Sequence, residues 1–93
     1  MDIDIKAETR AVADRIQRLR SERRLSQMEL SLEAGISQGF LAMIETYQKV
    51  PTVTTILKLA SALDVRPSYF FEDTPHDREQ KKREIIAAIE REL

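Results

Sequence analysis

Side chains able to do covalent chemistry are scarce in this chain. It has no cysteine and a single histidine, His76, so thiolate nucleophiles, thiolate metal sites and imidazole pairs lack their parts. Asp73, His76 and Asp77 come nearest to a ligand set. They fall in "EDTPHD" (72–77), a polar stretch that reads as a linker, so no metal, no cofactor and no enzymatic activity is expected. What the spacing does offer is hydrogen bonding. The pair Ser-Gln stands at 26–27 and again at 37–38, each time at the start of a short helical pattern. A serine there accepts an orphan amide of the first turn. The glutamine beside it carries a donor and an acceptor side by side, fit for bidentate pairing with a planar polar edge.

The elements that must position these pairs are all helical. Ser26-Gln27-Met28-Glu29 has the capping-box pattern, in which serine and glutamate each satisfy the other's backbone amide. Gly35 ends that helix, because glycine takes the left-handed conformation cheaply. Ser37 then caps a third helix from Gln38 to about Thr46, with Leu41 and Ile44 inward. Upstream, Thr9 is read as the cap of a first helix reaching about Arg23; Val12, Ile16 and Leu19 form its inner stripe, with Arg15, Arg18 and Glu22 outside. Downstream, Pro51 interrupts and Thr52 restarts a helix whose apolar face is Ile56, Leu57, Leu59, Ala60 and Leu63. Pro67 suits the first position of a short fifth helix carrying Tyr69, Phe70 and Phe71. A last amphipathic helix runs to Leu93.

With 93 residues there is room for one small core. Two glycines and three prolines favour helices over many-turned β structure, and no strand alternation is evident. The fold class is all-α: a five-helix domain over 1–73 with an amino-terminal extension, then a linker and helix over 74–93. No apolar run reaches membrane-spanning length, and "MDIDIKAETR" is too charged for a secretory signal. The expected location is the cytoplasm, consistent with a cysteine-free chain. The net charge of −1 lacks the basic excess of many nucleic-acid binders.

Two short helices joined by a tight turn at Gly35-Ile36-Ser37 form a candidate helix-turn-helix. In that motif the second helix enters the DNA major groove amino end first, and free amides at helix starts suit phosphate. The segments "RIQRLRSERRLSQMELSLEAGIS", "FLAMIE", Pro51-Thr52 and "LKLASALDVRPSYFF", in that order and spacing, resemble the Cro and C1 repressor type of helix-turn-helix regulator (the XRE-like family) over about Ala11 to Glu72.

The resemblance implies a sequence-specific regulator of transcription, a repressor or autoregulator, that binds double-stranded palindromic DNA as a homodimer. By position, Gln38 is its first base-reading residue, able to pair with adenine N6 and N7, and Gln27 binds phosphate and hydrogen-bonds Gln38. Gly39, Ala42 and Met43 fill the other reading positions. They depart from the polar side chains usual there, so shape and two-fold symmetry would carry much of the specificity. Ser37, Thr46, Gln48 and Lys49 join Gln27 as phosphate candidates, with Arg23 and Arg24. Arg20 and Glu45 match an internal ion pair. Tyr47 stands where glycine is usual: either the backbone there is left-handed, which costs about 1 kcal/mol, or the loop differs from the family's and the Lys49 contact does not carry over.

Outside the match, Ser31 replaces a small apolar residue, a change tolerated if its hydroxyl bonds back along the helix. Met28 and Leu32 make an apolar pair expected to be covered by "MDIDI" or by the last helix. Tyr69, Phe70, Phe71, Ile85, Ile86, Ile89 and Leu93 are the self-association candidates; the last helix could instead fold back on its own domain. The alternative function is a protein-partner module of antitoxin or anti-repressor type with little DNA binding of its own.

Overall fold

The computed structural model describes residues 1–73 and 75–92, and the side chains of all of these except 75–77, 80, 81 and 92. Leu93 and the side chains of His76 and Asp77 therefore lie outside the described residues. Within them the elements are α1 (Ile5–Glu22), α2 (Gln27–Ala34), α3 (Gln38–Glu45), α4 (Val53–Leu63), a 3-10 helix (Pro67–Phe71) and α5 (Pro75–Glu92). No strand occurs among the described residues.

Most helix ends follow local chemistry. Ser26 accepts the Glu29 amide at 3.0 Å while Glu29 accepts the Ser26 amide at 3.1 Å, so the capping box is complete. The backbone bond from Ser26 leads in holding the Glu29 carboxyl below the usual range, with the Ser26 hydroxyl adding to it. Gly35 is left-handed at φ 71° and closes α2. Ser37 accepts from Phe40 and Thr52 from Thr55. The first helix departs from expectation. Asp4, not Thr9, is its cap, accepting from the Ala7 amide at 3.1 Å. Thr9 lies inside the helix with its hydroxyl bonded to the Ile5 carbonyl at 2.7 Å, a common use of threonine in mid-helix.

The core lies where α1, α2, α3, α4 and the 3-10 helix meet, around Ile16, Leu30, Leu41, Ile44, Leu59, Leu63 and Phe70, none of which retains accessible surface. Burying each such side chain stabilises the fold by about 1.5–3 kcal/mol. Phe70 is thereby removed from the self-association candidates, because the 3-10 turn aims its ring inward; Tyr69 is half-buried against the same core, and Phe71 is exposed. Leu57, read as part of the inner face of α4, instead points outward and is half exposed.

Arg15 is the largest correction. Expected on the solvated side of α1, it is 5% exposed, donating to the Phe70 carbonyl at 2.9 Å and to Asp73 at 3.2 Å. The aliphatic stem packs in the body while the guanidinium caps a backbone acceptor the core would otherwise leave unmet. Ser31 is buried, and its hydroxyl does bond back to the Met28 carbonyl at 2.8 Å.

The linker is shorter than read, since α5 begins at Pro75. Every described side chain of α5 is exposed, including Ile85, Ile86 and Ile89, so this helix does not fold back on the domain. Neither α5 nor the amino terminus covers Met28 and Leu32: both are exposed, as are Ile3 and Ile5. No helix among the described residues is long and apolar enough to cross a membrane.

Candidate nucleic-acid interface

The turn at Gly35 sets α3 across the end of α2, and α3 divides cleanly into two faces. Leu41 and Ile44 are fully buried and Phe40 packs half-buried against the core, so Phe40 belongs to the fold. Gln38, Gly39 and Met43 are exposed and Ala42 is half-buried; at i, i+1, i+4 and i+5 they make one outward stripe. The four base-reading candidates are thus brought together on a single face. A Cβ built on Gly39 would meet no atom within 4 Å, so nothing in the fold demands glycine there.

Behind that face lies a polar cluster joining three helices. Arg20 of α1 grips Glu45 at the end of α3 with two parallel bonds, Nε to Oε2 and Nη2 to Oε1, each 2.8 Å. Its remaining nitrogen donates to the Leu25 carbonyl at 2.8 Å. The pair is largely buried, with 14% of the Arg20 side chain and 5% of Glu45 exposed. Hydrogen bonding to Glu45 raises the Arg20 pKa, the Glu45 charge adds to this, and burial opposes it.

Gln27 enters this cluster, which revises one expectation. Its amide donates to Glu45 Oε1 at 3.1 Å and not to Gln38. A carboxylate is the stronger acceptor, so Glu45 fixes the first side chain of α2, while Gln38, exposed at the first turn of α3, is not held by it. The phosphate candidates are dispersed around this frame. Ser37 stays exposed at the start of α3; Thr46 donates to the Ala42 carbonyl at 2.8 Å and receives the Gln48 amide at 2.9 Å. Lys49 is exposed, its backbone amide bonded to the Met43 carbonyl at 3.2 Å. Arg24 is exposed and left-handed at φ 56°. Arg23 donates to the Leu63 carbonyl, tying the end of α1 to the end of α4.

Tyr47 is left-handed, at φ 65°, a conformation costing about 1–2 kcal/mol for a side-chain-bearing residue. Two contacts hold it there: its hydroxyl donates to Asp14, and the Arg10 guanidinium lies 5.0 Å from its ring centroid. The bond to Asp14 raises the phenol pKa above its ordinary value, burial and the Asp14 charge adding to it, Arg10 opposing. Sequence reasoning missed Arg10 and Asp14. The signal available was their i, i+4 spacing on α1 opposite a tyrosine in a glycine position.

A sequence model of the HTH_3 family, described as helix-turn-helix, matches residues 16–70. An uncharacterized HTH-type transcriptional regulator, y4dJ of Sinorhizobium fredii, is 41% identical over 54 residues, which are 58% of this chain and 70% of that protein. The immunity repressor protein of Bacillus phage phi105 is 37% identical over 57 residues, 61% of this chain and 40% of the repressor. Among solved structures, the restriction-modification controller protein C.AhdI from Aeromonas hydrophila superposes with a TM-score of 0.67 at 32% identity, over 70% of this chain and 98% of that one. An HTH_3 family transcriptional regulator from Vibrio cholerae superposes with a TM-score of 0.68 at 32% identity, over 71% of this chain and 37% of its own. The matched span holds the whole α2-turn-α3 unit with its Arg20–Glu45 brace. The chain belongs to the HTH_3 helix-turn-helix family, of the Cro/C1 repressor type, and is a helix-turn-helix transcriptional regulator.

Proposed function

We propose that the chain represses or autoregulates transcription by binding a palindromic operator as a homodimer, with α3 in the major groove. Gln38 is the principal base reader, contacting adenine through its amide, with Ala42 and Met43 supplying apolar contact. Gln27, Ser37, Thr46, Gln48 and Lys49 hold phosphates, and Arg24 more than Arg23, whose guanidinium already serves α4.

The observation that carries this reading is Gly39. Glycine inside a helix costs about 0.5–1 kcal/mol relative to alanine, and no neighbour within the fold requires it. Its use therefore lies outside the chain, where a bare backbone admits a close approach by a groove wall. A dimer suits the reading because a lone small module grips DNA weakly, and paired recognition helices one DNA turn apart read palindromes. Phe71, Ile85, Ile86 and Ile89 supply exposed apolar surface for it, and Tyr69 is half-buried. The functional division then falls near Asp73: a DNA-binding body, and an α5 tail for self-association.

The test is binding of the purified chain to the DNA upstream of its own gene, against scrambled DNA, at two salt concentrations. Preferential binding that weakens steeply with salt, is lost in Gln38→Ala and falls in Gly39→Leu supports the reading. Gly39→Leu folded as well as wild type yet binding the fragment undiminished would remove its main support. The exposed Met28 and Leu32 favour a second reading, a protein-partner module; it predicts no specific DNA complex at any salt, and loss of partner capture in Leu32→Asp.

A further inference from the structure

Toward the amino end of α1 from Arg20, on the same side of the helix, a groove of about 420 Å³ opens between its first turns and the loop that follows α3. Buried Ala13, Ile44 and Pro51 form its floor, and exposed Ile5, Val50 and Tyr47 its rim. Its volume falls in the range of small-molecule sites, roughly 300–1,000 Å³, and so does its character, apolar with a few polar groups at the edge. Besides Thr9, whose hydroxyl is bonded to the Ile5 carbonyl, those groups are the three cations Lys6, Arg10 and Lys49, and no acidic residue lines the groove. None of the three takes part in an ion pair among the described residues.

Tyr47 makes this more than a surface dent. A left-handed tyrosine is strained, and strain of this kind collects where surrounding contacts fix a side chain for use. Asp14 and Arg10 hold the ring as a preformed aromatic wall, so a ligand meeting it spends little on ordering the site. Asp14 meets the phenol from outside the groove, so the charges that line the mouth itself are all positive.

We propose that this groove binds a small organic anion with an aromatic or branched apolar body, its acidic group held by Lys6, Arg10 and Lys49 and its body seated against Tyr47, Val50 and Ala13. Resting on the function proposed above, the occupant competes with DNA, because Lys49 serves both and the loop from Thr46 to Lys49 leads directly from the recognition helix. The chain would then carry its effector site inside the DNA-binding body.

The full chain is titrated with 8-anilinonaphthalene-1-sulfonate, an apolar anion that fluoresces when sheltered, and with its uncharged counterpart N-phenyl-1-naphthylamine. Expected are saturable one-to-one binding of the sulfonate, at least tenfold weaker binding of the neutral compound, and loss of sulfonate binding in Val50→Asp. Leu32→Asp, on the other exposed apolar patch, should leave it intact. Val50 is exposed, so its variant should fold, which circular dichroism checks directly. Equal affinity for the two dyes, no saturable binding, or undiminished binding in folded Val50→Asp each overturns the site. Upstream DNA should displace bound sulfonate. If the chain binds that DNA without displacing the dye, the competition is wrong and the site stands. If it binds no DNA, the proposed function has failed, and the dye arms still judge the groove.

Discussion

Two polar ties join α1 to the end of α3, and they differ in almost everything but their purpose. Arg20 and Glu45 are largely buried, bidentate and supported by the Leu25 carbonyl and the Gln27 amide. Asp14 and Tyr47 are exposed, linked by one hydrogen bond and overlaid by Arg10. In the first, removing a partner leaves a charge behind in a place water scarcely reaches. In the second, water replaces whatever is removed. Burial, rather than the number of bonds, therefore decides what each tie contributes.

The sharpest way to break the comparison is Arg20→Ala. It abandons the Glu45 carboxylate to the Gln27 amide alone, and breaking a buried pair costs about 3 kcal/mol or more. Urea unfolding should show that loss, and unchanged stability would remove the claim that this brace sets the geometry of α3. Glu45→Gln comes next. It keeps acceptor geometry for one bond but forfeits charge assistance, which roughly doubles a bond's strength; a loss of about 1–2 kcal/mol is expected. Tyr47→Phe tests the exposed tie and should cost less than about 1 kcal/mol at neutral pH, as exposed interactions do.

A pH series sharpens that third case. The folded phenol pKa is raised above the ordinary 10.0, so the unfolded chain loses this proton first as pH rises. The stabilisation is complete below pH 10 and declines from there toward the folded value. Unfolding of wild type against Tyr47→Phe across that window should converge at the alkaline end; parallel curves would mean the Asp14 bond contributes nothing. The smallest effect belongs to Tyr47→Gly, where relief of left-handed strain, about 1 kcal/mol, offsets the lost bond and the lost ring contact. Its melting temperature should lie close to that of wild type.

How much of this could be read in the sequence follows the range of each interaction. The capping box at Ser26, the Gly35 turn and the Ser37 and Thr52 caps span five residues or fewer, so their partners were visible. The Arg20–Glu45 brace was legible only through family position. Arg15 was not legible at all: its acceptor, the Phe70 carbonyl, lies 55 residues away, and a lone arginine on a charged helix reads as solvated. Gln27 was expected to bond Gln38, and only the fold shows that the Glu45 carboxylate, 18 residues on, is within reach instead. For Tyr47 the sequence left two possibilities, a left-handed backbone or a differently built loop, and the fold has the first. Its compensation was not legible, because Asp14 stands 33 residues upstream. The outward stripe of α3 was foreseen as a set of positions, whereas the uncovered state of Met28 and Leu32 contradicted an assumption that apolar pairs find cover within their own chain.

Arg15 has a mechanical consequence. By holding Phe70 and Asp73 it anchors the chain two residues before α5 begins. A helix of 18 residues is a rigid arm of about 27 Å, and a tilt of about 10° at its root sweeps the far end through roughly 5 Å, near one helical pitch. The root thus works as the base of a lever, and whatever meets Ile85 and Ile89 has its alignment decided through a guanidinium carried on α1.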